Sequence, residues 1–286
     1  MSANDIPEIF NPRRRRAMLD RAANLRSTDA FLWQHMADAL TEQLAVVSRQ
    51  FERVLFIGPI GHWAKHILGN QTSEVQYAPL CPTDAAIMQC AVVCEDTLLY
   101  LPGSFDLIIS AGTLDSVNDL PGALIQIRRM LVPDGLFLSV LFGAGSLAAL
   151  RSVLMQADGD RAMPHIHPQI ELRSAADLLS RTGFALPVAD ADTLHVRYRD
   201  WRTLVRDIRA CGTGNALAGI RPFPGKEWIR NIDSAWAQAR SEDGKVSEQF
   251  VFLNLSAWSP SPAQPKPAAR GSGTVSLTNA LITKLD

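Results

Sequence analysis

A chain of 286 residues, 47% of them hydrophobic and 20% charged, is long and apolar enough for a packed core, which excludes an intrinsically disordered protein. A formal net charge of −1 gives no support to a nucleic-acid partner, and four cysteines without a C-x-x-C pair exclude a disulfide scaffold and read as reduced thiols. The longest apolar runs, Val54–Ile57 and Leu136–Phe142, fall far short of the roughly 20 residues that cross a bilayer, and the first residues hold no apolar leader, so a cytoplasmic protein without a transmembrane segment is expected.

The chain begins with a basic arm, residues 1–28, in which Arg13 to Arg16 are followed by Arg21 and Arg26. It reads as solvated, or pinned to acidic side chains of the same protein, with an acidic partner as the alternative. From Asp29 to Arg49 the residues Trp33, Met36, Leu40, Leu44 and Val47 recur at spacings of three and four, the period of one helix face. Val54–Ile57 is a short buried strand ended by Gly58-Pro59, with a helix from about Gly61 to Leu68 behind it. Glu74–Leu80 is a strand, Cys81-Pro82-Thr83 a turn that starts a helix, and Ala91–Val93 another short strand.

Ser104-Phe105-Asp106 leads into Leu107–Ser110, a buried-strand run of consecutive β-formers. A helix follows, capped by Asn118 or Asp119 with Pro121 in its first turn, and it stops at Pro133-Asp134-Gly135. Leu136–Phe142 is the next buried strand. Helices are predicted over 146–156 and 174–182, from Asp200 to Cys211, and around Trp228 to Ala239; Glu248–Trp258 returns to strand. Alternating strands and helices imply a mostly parallel sheet covered on both faces. The tail from Ser259 on is proline-rich and is expected to be irregular.

The block Ser104–Ser110, Leu114, Val117–Leu124, Ile127–Arg129, Leu131 and Pro133–Phe137 resembles the central region of class I S-adenosylmethionine-dependent methyltransferases. More narrowly, the chain is similar to the branch that holds the malonyl-carrier-protein methyltransferase of biotin synthesis and the assembly factors of respiratory complex I. That likeness rests on Phe10–Ala17, Phe51–Arg53, Leu178–Phe184, Trp201–Gly214, Gln264–Pro267 and Gly271–Ser276. The resemblance implies an α/β fold, a Rossmann-like sheet of seven strands with helices on both faces and an inserted helical lid around 155–240, in one domain over 29–258 with a tail over 259–286.

The resemblance also implies S-adenosylmethionine as cofactor, held at the carboxyl ends of the first strands, with contacts at Gly58, Gly61, Glu95 and Ser110. Several residues depart from the family's pattern. The leading acid of the glycine loop is Phe56; Gly58 alone stays in register, Ile60 and His62 replace the later glycines, and Gly61 is a shifted substitute. Pro79 stands where a carboxylate meets the ribose, Cys94 with Glu95 and Asp96 where an acid meets the adenine, and Asp115-Ser116 where the branch has His-Trp.

Three functions follow. One is a methyltransferase acting on a protein or a carrier-bound acid; another is a non-catalytic scaffold or assembly factor that chaperones a protein client; the third is oxidation of a protein arginine. Beside these stand plainer readings. Gly58 and Gly61 serve a tight turn whether or not a ligand sits there. The pairs His62/His66 and His165/His167 lack the cysteine or carboxylate spacing of a metal site, and no metal is expected. Cys94 has no activating partner, and Trp201, Trp228 and Trp236 read as core. No catalytic residue and no oligomeric state follow from the sequence.

Overall fold

In the computed structural model, which describes residues 8–26, 30–71, 73–160, 163–219 and 225–265, the basic arm is helical over Pro12–Leu25. Asn11 caps it by accepting from the Arg14 N–H, and Pro12 takes the first helical position, where a missing N–H costs nothing. This helix is α1 (Pro12–Leu25); α2 (Phe31–Ala45) follows, buried through Trp33, Met36, Leu40 and Leu44 as their spacing predicts. The start expected at Asp29 lies outside the described residues.

The alternating section then runs β1 (Arg53–Ile57), a 3₁₀ turn (Pro59–Trp63), α3 (Ala64–Leu68), β2 (Glu74–Ala78), α4 (Pro82–Met88), β3 (Phe105–Ala111), α5 (Leu120–Met130) and β4 (Leu131–Phe142). After it come α6 (Ala148–Asp158), α7 (Leu172–Arg181), β5 (Ala185–Tyr198), α8 (Trp201–Cys211), α9 (Lys226–Gln238) and β6 (Val246–Trp258). The strand order is β2-β1-β3-β4-β6-β5, with β2 through β4 parallel and β6 antiparallel to both neighbours.

Continuous apolar strands make sense here because successive side chains feed two cores. Val54, Phe56, Leu107 and Ile109 join the core under α2, α8 and α9, while Leu55, Ile57 and Ile108 join the one under α5 and α7. Trp236 lies in the first core, and Trp201 and Trp228 pack against it. Asp106, at the start of β3, accepts from the backbone N–H groups of Glu52 and Arg53, both at 2.9 Å, and so fixes where β1 begins. Asp106→Ala is expected to lower unfolding free energy by about 2–3 kcal/mol, read as a shifted urea midpoint at unchanged m-value.

Three expectations are corrected. Seven strands are predicted, and the described residues form six. The missing one is Ala91–Val93: Val93 donates to the Pro79 carbonyl at 2.8 Å, but Pro79 has no N–H to continue a ladder. The stretch 155–240, read as helical, contains the 14-residue β5, so α7 precedes a strand and, among the described residues, only α8 and α9 lie between β5 and β6. The predicted break at Pro133–Gly135 is a register shift within the pairing of β3 with β4. The tail from residue 266 on lies outside the described residues.

Candidate functional site

Parallel strands β1, β2 and β3 end at one rim, where class I folds leave a crevice. Gly58 follows β1 with φ +82°, the left-handed region that favours glycine, and a Cβ there would meet Thr113 Cγ2 at 3.2 Å and Leu80 Cδ1 at 3.3 Å. At Gly61 a Cβ would lie 2.8 Å from Tyr77 Cδ1. The close approach that glycine permits is thus made by the chain's own side chains. Phe56 is fully buried and stacks on Tyr77, with ring centroids 6.2 Å apart. Ser110 is buried in β3, in register with Ile57 and Ser139, and neither serine hydroxyl has a partner.

Helix α1 lies over this rim and reaches into it with two arginines. Arg15 donates from Nε to Ser116 Oγ and from Nη2 to the Thr113 carbonyl, both at 2.8 Å, and Nη2 lies 2.5 Å from Glu95 Oε2. Glu95 is fully buried, and this ion pair is its one charged contact among the described residues. Arg26 grips Asp84 with both terminal nitrogens, at 2.7 and 3.1 Å, and His62 Nε2 approaches the same carboxylate at 2.8 Å. Burial alone would raise the Asp84 carboxyl, but hydrogen bonds from His62 and Arg26 outweigh it and hold it well below the usual carboxylate range.

The residues ahead of α1 complete the cover. Asn11 N–H donates to the Ala216 carbonyl and Ala218 N–H to the Ile9 carbonyl, both at 2.8 Å. Asn118 accepts from the Phe10 N–H at 2.8 Å and donates to its carbonyl at 2.9 Å. Behind this strap, bordered by Arg15, Leu80, Cys94 and Asp96, remains a cavity of about 30 Å³, space for water-sized occupants. Burial pushes the Cys94 thiol up, away from nucleophilic use.

Each histidine pair is divided between separate aspartates. His62 faces Asp84 and His66 faces Asp38; His165 faces Asp158 and His167 faces Asp115. Of the residues expected to touch a cofactor, Gly58 and Glu95 stand at the rim, joined through Thr113 and Arg15, Gly61 packs there against Tyr77, and Ser110 lies enclosed within β3. The sequence reading missed Arg15, Arg26 and Asp84 as a set. The signal available for them was Asn11-Pro12, a cap with proline at the first helical position, ahead of an Arg/Ala/Leu-rich run.

A parallel β2-β1-β3-β4 core with two antiparallel strands beside β4, and helices on both faces, is a class I methyltransferase-like fold. The chain belongs to the methyltransferase-domain family, whose model matches residues 30–187, within the class I S-adenosylmethionine-dependent methyltransferase superfamily. It is 27% identical to the mitochondrial arginine-hydroxylase NDUFAF5 of Danio rerio, over 95% of this chain and 89% of that protein. It is 28% identical to the malonyl-acyl-carrier-protein O-methyltransferase of Laribacter hongkongensis, over 88% of this chain and 90% of the other. Among solved structures, the YcgJ protein of Bacillus subtilis superimposes with a TM-score of 0.54 at 16% identity, covering 78% of this chain and 99% of that one. The cyclase SpnF does so with 0.54 at 17% identity, over 89% and 98%, a likeness of fold. No helix of the described residues is long and apolar enough to cross a membrane.

Proposed function

We propose that this protein works without S-adenosylmethionine, using the methyltransferase fold to hold a protein client, as an assembly factor for a respiratory complex. The carrying observation is the buried Arg15–Glu95 ion pair, which occupies the rim where the fold would seat a cofactor. The residues around it do not suit that cofactor. Phe56 and Pro79 offer no carboxylate where the resemblance implies one, and Tyr77 fills the approach to Gly61. Losing two charge-assisted hydrogen bonds to the ribose weakens binding by roughly a hundredfold or more. Assembly as the role draws its support from the likeness to the complex I branch at Trp201–Gly214 and in the tail, and a protein client from the NDUFAF5 relatives.

Isothermal titration of the full chain with S-adenosylmethionine tests the reading. No heat beyond dilution is expected at millimolar cofactor, and no rise in melting temperature. A micromolar dissociation constant would sink it, and loss of that binding on Gly58→Val would place the ligand in the crevice.

A further inference from the structure

Beside the crevice, on its β4 side, lies a polar pair that the proposed function leaves unused. Asp115 follows β3 in the 3₁₀ turn Leu114–Ser116, and His167 lies in the connector before α7. Their side chains are 2% and 6% exposed, and His167 Nε2 lies 3.3 Å from Asp115 Oδ2. The other atom of each group, Asp115 Oδ1 and His167 Nδ1, is buried without any partner. Both residues line a small, partly open cavity of about 10 Å³, together with Phe142, Leu147, Ile166 and Thr213. Leu147 holds φ +61°, a left-handed conformation that a non-glycine residue adopts at a cost.

The chemistry of this pair selects its occupant. With His167 neutral and Nε2–H donating to the carboxylate, the site carries one buried negative charge, and both free atoms accept hydrogen bonds. A group that answers both must donate twice, and a positive charge on it offsets the carboxylate that burial otherwise penalises. Arg15, bound to the adjacent Ser116, is committed to Ser116, Thr113 and Glu95. The ring of Phe10 stands edge-on to His167, with centroids 5.5 Å apart, and covers that ring from the strap.

We propose that Asp115 and His167 form a docking point for the cationic nitrogen of a client side chain, entered when Phe10 leaves its place over His167. The site is separate from the crevice and stands whether or not the crevice takes a cofactor. A water molecule also donates twice and fits a cavity of this size; it is the competing occupant.

The test is a titration of the full chain without S-adenosylmethionine, followed by the histidine ¹⁵N resonances at pH about 8, with His167 assigned by His167→Gln. Methylammonium and methylguanidinium chloride are the probes, and sodium chloride and acetamide the controls. A saturable shift of His167 is expected with one of the cations and not with either control. Phe10→Ala, which removes the cap, should tighten the response. Asp115→Asn, which keeps the shape, should weaken it at least about tenfold, with the far-UV spectrum unchanged. The proposal is overturned if neither cation shifts His167 in the wild type or in Phe10→Ala. It is equally overturned if acetamide matches the cations, which would mark a water site, or if Asp115→Asn leaves the affinity unchanged.

Discussion

Asp84→Asn is expected to lower the unfolding free energy by about 3–5 kcal/mol at neutral pH, because it leaves the Arg26 guanidinium in a protein-lined site with no countercharge. The native carboxyl is held below its ordinary range, so between that range and its folded value the unfolded chain binds the extra proton. The contribution is therefore complete above the usual aspartate value of about 4, shrinks as pH falls below that, and is gone only once pH has passed the folded value. Urea unfolding at pH about 7 and about 3 checks both statements: wild type and variant should differ widely at the first pH and converge towards the second. An equal gap at both would show that the cost of the substitution lies in packing and not in the charge.

Arg15→Ala should destabilise by a similar amount, about 3–5 kcal/mol, since it leaves Glu95 buried and unpaired and removes the donors to Ser116 and Thr113. The double variant Arg15→Ala/Glu95→Gln is expected to be more stable than Arg15→Ala alone, because the stranded charge has gone. With Glu95→Gln alone, these variants close a double-mutant cycle whose interaction term is the coupling of the pair. A double variant no better than the single one would mean that Glu95 reaches water once Arg15 is cut back. Opening the rim in this way is not expected to create cofactor affinity, because Phe56 and Tyr77 remain stacked beneath it.

The parts of this fold that were legible in the sequence are those whose side chains enter a core. Val54–Ile57, Phe105–Ala111 and Leu136–Phe142 announce themselves as unbroken β-formers because both of their faces are covered. Asp119, Pro121 and the apolar spacing behind them define α5. Strand β5 was not legible, because it is an edge strand whose middle, Asp190 to Thr193, is exposed on both faces, so no apolar alternation marks it. Ala91–Val93 has the composition of a strand and fails for want of one N–H on its neighbour, which a window of local propensity does not weigh.

At the candidate site the glycines were readable and their company was not. Gly58 and Gly61 follow from a strand-to-helix turn, but what stands against them comes from Tyr77, Leu80 and Thr113, on other segments. The four consecutive arginines look alike in sequence. Helical period separates them: Arg13 and Arg16 face solvent, while Arg14 and Arg15 turn inward to the 217–219 carbonyls and the crevice. The reading of a basic arm pinned to acidic side chains holds for Arg15 and Arg26 in particular.

The strap also sets an order of events during synthesis. Ile9 and Asn11 leave the ribosome first, yet their backbone partners, Ala216 and Ala218, are made some 200 residues later. At about 5–20 residues per second the N-terminal segment waits roughly ten to forty seconds before it can close. Asp84 and Glu95 are made within the first half of that interval, so the arginine contacts at the rim can form before the strap is sealed, and its hydrogen bonds to 216–218 come as a last, long-range step.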